Sequence, residues 1–130
     1  MSQEDVQAAY EAIAAYNRGG LEALLPYFDP NVELIAPPQW PDDRVGWGHD
    51  GVREVDAAWR GQFDDFRMDP QRIIDAGGGR IVALYTMRGR IKGSDTLVEQ
   101  SAGVLYESRE GKVTRWRAYL SWDEALDAAG

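Results

Sequence analysis

The fold predicted for this chain depends on the stretch SDTLVEQSAGVLYE (94–107), which is followed by SREGK (108–112) and VTRWRAYLSW (113–122). The two outer segments are rich in residues that favour β-strands, and the segment between them contains a glycine. Two such runs around a short turn predict a long antiparallel hairpin. The tail DEALDAAG (123–130) has the composition of a helix.

The returning segment of this hairpin has two different surfaces, because side chains alternate between the faces of a strand. The apolar surface carries Trp116, Ala118 and Leu120. The opposite surface carries Arg115, Arg117 and Tyr119. If the apolar surface curves around a space smaller than a full core, it becomes the wall of a pocket.

Length, charge and cysteine content restrict the classes of function. The 130 residues correspond to one domain, which we place at 1–130. Nucleic acids and anionic membranes attract clustered Lys and Arg, whereas this chain has a formal net charge of −8. We therefore expect no nucleic acid and no membrane as a partner. The absence of Cys excludes disulfides, thiolate nucleophiles and Cys-ligated metals.

The beginning of the chain and its hydropathy indicate where the protein works. The polar start MSQEDVQ (1–7) does not have the pattern of a signal peptide. No apolar run approaches the roughly 18 residues that a membrane-spanning helix needs. We therefore expect a soluble, cytoplasmic protein.

The order of the elements predicts an α+β fold. Helical spacing of apolar residues predicts helices over about 3–17, over 21–28, and from an N-cap at Asp50 through a stripe of Val52, Val55 and Trp59. A short strand precedes Pro37, and two strands, one after Pro70 and one over 81–91, precede the hairpin. These elements predict a curved antiparallel β-sheet that forms a cone, with three helices packed on its concave side.

Several short motifs in this order resemble the nuclear transport factor 2-like superfamily. They are GGLEALL (19–25) before DPNVE (29–33), then GHDGVRE (48–54), and finally EGKV (110–113) before Ala118–Tyr119. Within the superfamily the chain is most similar to the SnoaL-like proteins, which include polyketide cyclases and members of unknown activity. The resemblance implies a cone-shaped cup around an apolar cavity, often dimeric through the outer face of the sheet.

The superfamily also includes ketosteroid isomerase, in which a carboxylate base works with a Tyr and a protonated Asp. Laying that pattern over this chain puts Ala36 at the base, Gly103 at the acid and Ala12 at the Tyr. The resemblance therefore implies that the chain is not a ketosteroid isomerase, and that any activity uses other side chains.

Glu99 is a candidate acid–base residue on the outgoing strand of the hairpin. If Gly103 faces the cavity, as the overlay implies, then Glu99 and Ser101 share that face. A carboxylate in an apolar cup is useful near neutral pH because desolvation raises its pKa. The alternative is that Glu99 pairs with Arg88 or Arg90 across the ladder as a structural ion pair.

Two further acid–base candidates lie in or beside the loop 37–51. His49 is the only histidine, and histidine is the residue that titrates nearest to neutral pH. The alternative is that His49 has only a structural role, in the turn and cap at the start of a helix. Asp43, between Asp42 and Arg44, could act as a general base beside a positioning partner, or could belong to a solvated loop tip. With a single histidine we expect no dedicated metal site and no cofactor, although carboxylates could supply hard oxygen ligands without it.

Large aromatic side chains are the expected walls of the pocket. The predicted substrate-binding residues are Tyr16, Trp40, Trp47, Trp59, Tyr85, Ser101, Trp116 and Leu120. Such walls suit a small apolar or partly oxygenated molecule. A single aromatic at helical or strand spacing is more often ordinary core, so the prediction of a pocket rests on the number of aromatics and on the two Trp in the loop.

These observations leave three hypotheses for function. The first is a cofactor-free acid–base enzyme, such as an isomerase, cyclase or dehydratase, acting on a small cyclic or polyketide-like substrate. The second is a non-catalytic module that binds a small molecule. The third is a domain whose main task is to form a homodimer through the outer face of its sheet.

Overall fold

The computed structural model of the protein describes residues 2–39 and 45–130. This part of the chain folds into four α-helices, one 3-10 turn and six β-strands. In chain order they are α1 (Ser2–Gly19), α2 (Leu21–Leu24), a 3-10 turn (Leu25–Tyr27), β1 (Phe28–Ile35), β2 (Val45–Trp47), α3 (Gly48–Arg60), β3 (Phe63–Gly77), β4 (Arg80–Ile91), β5 (Leu97–Arg109), β6 (Lys112–Tyr119) and α4 (Trp122–Ala129).

The strands form one curved, unclosed sheet in the order β2-β1-β6-β5-β4-β3. Neighbouring strands are antiparallel except for β1 and β6, which are parallel. In the chain, α3 and four strands separate the two members of this parallel pair. The predicted α+β class, with helices packed against a curved sheet, is confirmed.

The predicted hairpin is formed by β5 and β6. Its two-residue loop is Glu110–Gly111, flanked by the pair Arg109↔Lys112. Both loop residues have positive φ, 53° and 79°, which is the geometry of the type I′ turn that matches the twist of the strands. Glycine adopts this conformation without steric cost. A register shift between Glu107 and Ser108 adds an irregularity just before the turn.

The concave face of the sheet packs against α1, α2 and α3. The principal core includes Val32 and Val104, which have no exposed surface, and Val52 of α3, which is 2% exposed. These residues come from β1, β5 and α3, so one cluster joins the helices to both halves of the sheet. Burial of such side chains stabilises the fold by about 1.5–3 kcal/mol each.

The C-terminal helix α4 covers part of the opposite face. Ala125 is fully buried and packs against Val82, Leu84 and Tyr119. Ser121 caps the helix, since its Oγ accepts a hydrogen bond from the Glu124 backbone N–H at 3.1 Å. Tyr119, assigned from the alternation to the outer face, is therefore on that face but buried by the chain's own C-terminus.

Several predicted boundaries were wrong by a few residues. The second helix ends earlier, because Phe28 already belongs to β1 and places Asp29–Pro30 inside an irregular part of that strand. Helix α3 begins at Gly48, so Asp50 lies in its first turn rather than at the N-cap. Strand β3 begins at Phe63 and contains Pro70, which an edge strand tolerates at the register shift found there.

Within residues 2–39 and 45–130, none of the helices combines the length and the apolar character that crossing a membrane requires.

Candidate functional site

A cavity of about 110 Å³ lies between α3, strand β1 and the end of β6. Its walls are apolar and come from both helices and strands, among them Leu34, Val55, Met87 and Ala102. Asp56 is the only carboxyl-bearing residue among its described walls. The space is slightly smaller than the engineered 150 Å³ cavity that holds benzene, so it has the size of a guest of a few heavy atoms.

Asp56 forms a pair with Tyr16 at this cavity. The Tyr16 hydroxyl donates a hydrogen bond of 2.7 Å to the Oδ1 of Asp56. Tyr16 is 4% exposed and Asp56 is partly buried. The two residues lie on α1 and α3, so the bond links two helices across the mouth of the cup. We call this pair the Tyr16–Asp56 dyad.

The surroundings of the dyad change how both of its groups titrate. Burial raises the pKa of Asp56, while the Tyr16 hydrogen bond and the Arg60 guanidinium act in the opposite direction. Burial, and then the neighbouring Asp56 charge, raise the pKa of Tyr16 far above its ordinary value. Tyr16 therefore stays protonated as a donor at neutral pH, and Asp56 binds its proton more tightly than an exposed aspartate.

Arg60 offsets part of the desolvation free energy of the Asp56 carboxylate, because its positive charge lowers the pKa of Asp56. Its guanidinium carbon lies 4.9 Å from the centroid of the Tyr16 ring, which is the distance of a cation–π contact. Arg60 lies one helical turn after Asp56 on α3, where i,i+4 neighbours share a face. The dyad thus has a cation on one side and the apolar cavity on the other.

The helical period of α3 brings Asp56 to the cavity. Val52, Val55, Asp56 and Trp59 stand at i, i+3, i+4 and i+7, which is one continuous face of a helix. The sequence prediction used the three apolar members of this stripe and overlooked the carboxylate inside it. A charged residue at a core position of an amphipathic helix is the signal that could have identified Asp56.

The arrangement provides one base and one hydrogen-bond donor in an apolar space. A carboxylate with a raised pKa can remove a proton from a carbon acid, and a neutral phenol can donate a hydrogen bond to a developing oxyanion. Among the described residues, no group of three or more His, Asp or Glu side chains could hold a metal ion.

The structure places five of the eight predicted binding residues in the cavity wall. They are Tyr16, Trp59, Tyr85, Trp116 and Leu120. Trp40 lies outside the described residues. Trp47 is 65% exposed on the edge strand β2, and it lines a groove on the outer face with Glu33 and Arg115. Ser101 is exposed and faces away from the cavity.

Glu99 does not face the cavity. It is exposed on the outer face, where its carboxylate accepts from Arg88 at 3.0 Å. The cavity-facing alternative was wrong, and the cross-strand ion pair with Arg88 is the one the structure contains. The reason is parity: Ala102 lines the cavity, and the β4–β5 pairing runs without a shift through Glu99, Ser101 and Gly103.

Gly103 explains why the overlay on ketosteroid isomerase misled the prediction for this strand. A Cβ built on Gly103 would lie 2.6 Å from the Cβ of Ala125 in α4. The glycine therefore gives α4 close access to the outer face, and it does not contribute to the cavity. Ala36 does line the cavity and Ala12 lines a neighbouring one, so the overlay is compatible with the structure at those two positions.

Of the remaining two acid–base candidates, His49 lies within the described residues. The Nε2 of His49 lies 3.1 Å from the backbone oxygen of Phe28, a contact that joins the first turn of α3 to β1. His49 is partly buried and is not among the cavity walls. Asp43 lies outside the described residues.

Comparison with known proteins agrees with this architecture. The chain is similar in structure to an NTF2-like protein of unknown function from Burkholderia pseudomallei (21% identity, 95% of each chain, TM-score 0.77). It is also similar to a putative SnoaL-like polyketide cyclase from Jannaschia sp. (14% identity, 98% of this chain and 92% of that chain, TM-score 0.77). A third similar structure is TerC co-crystallized with polyporic acid (20% identity, 96% and 97%, TM-score 0.76). At these identities the likeness establishes the fold alone.

Sequence comparison identifies the family. No curated protein sequence matches the chain. The model of the SnoaL-like domain, however, matches residues 6–116, which is most of the chain. The protein therefore belongs to the SnoaL-like domain family.

Proposed function

We propose that the protein is a cofactor-independent acid–base enzyme that removes a proton beside a carbonyl group of a small, largely apolar molecule. The observation that carries this proposal is the 2.7 Å hydrogen bond from Tyr16 to Asp56 at an apolar cavity. The family supports a cyclase-type role, since one structural neighbour is a putative SnoaL-like polyketide cyclase.

The proposed reaction assigns one role to each member of the dyad. Asp56 takes the proton from the α-carbon, and the electron pair of the broken C–H bond moves into the carbonyl to form an enolate. As Asp56 becomes protonated, the single Tyr16 O–H turns from Asp56 to the enolate oxygen and donates a hydrogen bond to it, because its raised pKa keeps the phenol protonated. The enolate then takes the proton from Asp56 at a different, conjugated carbon, which gives isomerisation. Alternatively, its α-carbon attacks a second carbonyl carbon of the same molecule, and the oxygen of that carbonyl takes the proton from Asp56, which gives ring closure.

The test uses 4-phenylbutan-2-one as a model ketone in D₂O, with loss of the α-proton signal in the NMR spectrum as the readout. We expect the wild-type protein to accelerate exchange, and Asp56→Asn to reduce that acceleration by at least about 100-fold. Asp50→Asn is the matched control, because Asp50 lies on the same helix but is exposed and pairs with Arg53. Equal exchange with wild type and Asp56→Asn would remove Asp56 from the mechanism.

The pH dependence of exchange gives a second readout. Asp56 works as a base only when ionised, and burial raises its pKa. Exchange should therefore be lost as pH falls through a value above that of an ordinary aspartate. A rate that stays constant down to the range of exposed aspartates would contradict the role of a buried carboxylate.

The second candidate function is non-catalytic binding of a small molecule. The observation in its favour is that the Tyr16–Asp56 bond joins α1 to α3, so the dyad also serves as a structural clasp. Under this alternative the wild-type protein binds the ketone without exchanging its protons.

We also propose a homodimer through the outer face of the sheet. Trp47 is exposed there beside Glu33, Glu107 and Arg115, and a surface of mixed charge can be self-complementary about a two-fold axis. Light scattering after gel filtration should give twice the monomer mass, and Trp47→Ser should shift the protein toward the monomer. A monomer at all concentrations would contradict this proposal.

A further inference from the structure

A second cavity, of about 70 Å³, lies between α1 and strands β4 to β6. It shares walls with the first cavity, because Tyr16, Phe28, Tyr85 and Trp116 line both. The two cavities are therefore adjacent chambers that meet at these shared aromatic side chains. We call the one that contains Asp56 the first chamber and the one against α1 the second chamber.

The second chamber exists because α1 presents small side chains to the sheet. Ala8, Ala9 and Ala12 line it on the helix side, and Tyr106 lines it on the side of β5. Larger residues at these alanines would occupy the space between the helix and the sheet. Small residues alone do not make a binding site. Whether this chamber binds a ligand therefore depends on the polar groups in its walls.

Tyr85 and Tyr106 occupy buried positions, and neither side chain makes a hydrogen bond to a described residue. Tyr85 is 4% exposed and lines both chambers, and Tyr106 is 8% exposed and lines the second. A Tyr hydroxyl at a buried position normally finds a hydrogen-bond partner, and neither of these two hydroxyls is fully enclosed by protein atoms. A ligand that offers acceptor oxygens to both chambers would accept a hydrogen bond from each.

The chemistry of the walls restricts the end of the ligand in the second chamber. Asp5 lines this chamber, and burial together with the Asp5 charge raises the pKa of Tyr106. Tyr106 thus remains a neutral donor, and the nearby carboxylate repels anions. A neutral carbonyl or hydroxyl oxygen fits this environment, whereas a carboxylate or phosphate does not.

The volume of the first chamber also indicates that a substrate extends into the second chamber. Pockets for drug-sized ligands usually measure about 300–1,000 Å³, and the first chamber measures about 110 Å³. A drug-sized substrate held at Asp56 must extend beyond that chamber, and the second chamber is adjacent to it, on the aromatic side chains that the two share.

From these observations we infer that the two chambers form one elongated binding site. The substrate class is a flat, mostly apolar molecule that places its reacting carbonyl at Asp56 and a second, neutral oxygen substituent at Tyr106. This inference rests on the proposed function for the first chamber, and Tyr106 is its specificity-determining residue.

The test compares 4-(4-hydroxyphenyl)butan-2-one with 4-phenylbutan-2-one, which differ only in a hydroxyl at the end remote from the ketone. Binding is measured by ligand-observed NMR. The wild-type protein should bind the hydroxylated ketone about 2- to 10-fold more tightly, because one hydrogen bond is added. Tyr106→Phe should remove this preference and leave the affinity for 4-phenylbutan-2-one unchanged. Tyr10→Phe, at a more exposed position of α1, is the control that should keep the preference.

A second variant tests whether the ligand occupies the second chamber. Ala12→Leu fills the second chamber and should weaken binding of both phenylbutanones, while acetone, which is small enough for the first chamber alone, should bind as before. This comparison decides the matter even if Tyr106→Phe loses its native circular dichroism. A preference that survives in Tyr106→Phe, equal affinities in the wild type, or no binding of either ketone at millimolar concentration would overturn the inference.

The failure of the proposed function would have a different signature. Asp56→Asn should lose proton exchange and still prefer the hydroxylated ketone, since Tyr106 is intact. If the wild-type protein prefers the hydroxylated ketone but catalyses no exchange, the second chamber is a binding subsite and the proposed enzymatic activity is wrong.

Discussion

Replacing Tyr16 by Phe isolates the energy of the hydrogen bond in the dyad. The substitution removes one oxygen and keeps the aromatic ring. The ring retains its edge-to-face contact with Phe66, at a centroid distance of 6.4 Å, and its contact with Arg60 at 4.9 Å. The change in the free energy of unfolding therefore reports the loss of the bond to Asp56 and little else.

The expected size of the change follows from the charge of the acceptor. A hydrogen bond to an ionised group contributes about 1.5–3 kcal/mol, and one between neutral groups about 0.5–1.5 kcal/mol. At pH 7 Tyr16→Phe should lose the larger amount, because the variant leaves a partly buried carboxylate without its donor. In a domain of this size that corresponds to a fall in Tm of roughly 6–12 °C.

The loss should depend on pH in a defined direction. The Tyr16 bond lowers the pKa of Asp56, so the folded variant has a higher Asp56 pKa than the folded wild type. A raised folded pKa of an acid means destabilisation that is complete above that pKa and disappears below the unfolded pKa. The gap between wild type and variant should therefore be widest at neutral pH and should narrow as Asp56 becomes protonated.

The measurement is urea unfolding followed by Trp fluorescence, at pH 7 and again at a pH below the ordinary pKa of aspartate. Tyr10→Phe serves as the matched control, since Tyr10 lies on the same helix but is 38% exposed, and it should change stability by less than about 0.5 kcal/mol. Equal losses for Tyr16→Phe at both pH values, or no loss at pH 7, would refute the reasoning that Asp56 is an ionised acceptor.

Three further predictions concern the outer face of the sheet. Glu99→Gln should leave ketone exchange unchanged and cost less than about 1 kcal/mol, because its ion pair is exposed to solvent; a 100-fold loss of exchange would restore Glu99 as a catalytic candidate. Gly103→Ala should lose about 1–3 kcal/mol through overpacking against Ala125, and a double-mutant cycle with Ala125→Gly should show favourable coupling, whereas additive effects would argue against this contact. Trp122→Phe should lose about 0.5–1.5 kcal/mol, because its Nε1–H donates to the Tyr85 backbone oxygen at 3.0 Å, and unchanged thermal unfolding would argue against that bond.

Local patterns predicted much of the fold. The alternation in 113–122 correctly assigned Trp116 and Leu120 to the cavity side, and the glycine at 111 correctly marked the turn of the hairpin. The apolar stripe of α3 was also predicted, since Val52 and Val55 are both buried. Each of these inferences uses residues a few positions apart, where backbone geometry alone decides which side chains share a face.

The candidate site depends on contacts that no local pattern contains. Tyr16 and Asp56 are 40 positions apart, and their hydrogen bond exists only because α1 and α3 pack on the same face of the sheet. Glu99 was assigned to the wrong face for the same reason, because local alternation does not say which face of the sheet is buried. The period of two groups it with Ser101 and Gly103, but only the packing of α4 against Gly103 shows which face of the sheet that group occupies.

The sequence by itself thus determined most of the elements, their order and the apolar surface of each, because these follow from the periods of helices and strands. It did not predict β2, a three-residue strand that lies within the predicted loop 37–51. Tertiary packing decided which carboxylate lies against the cavity and which one lies in solvent, because that choice depends on where separate elements meet. Asp56 has a raised pKa through burial by residues from α1, α3 and the sheet, and that burial is a property of the assembled fold.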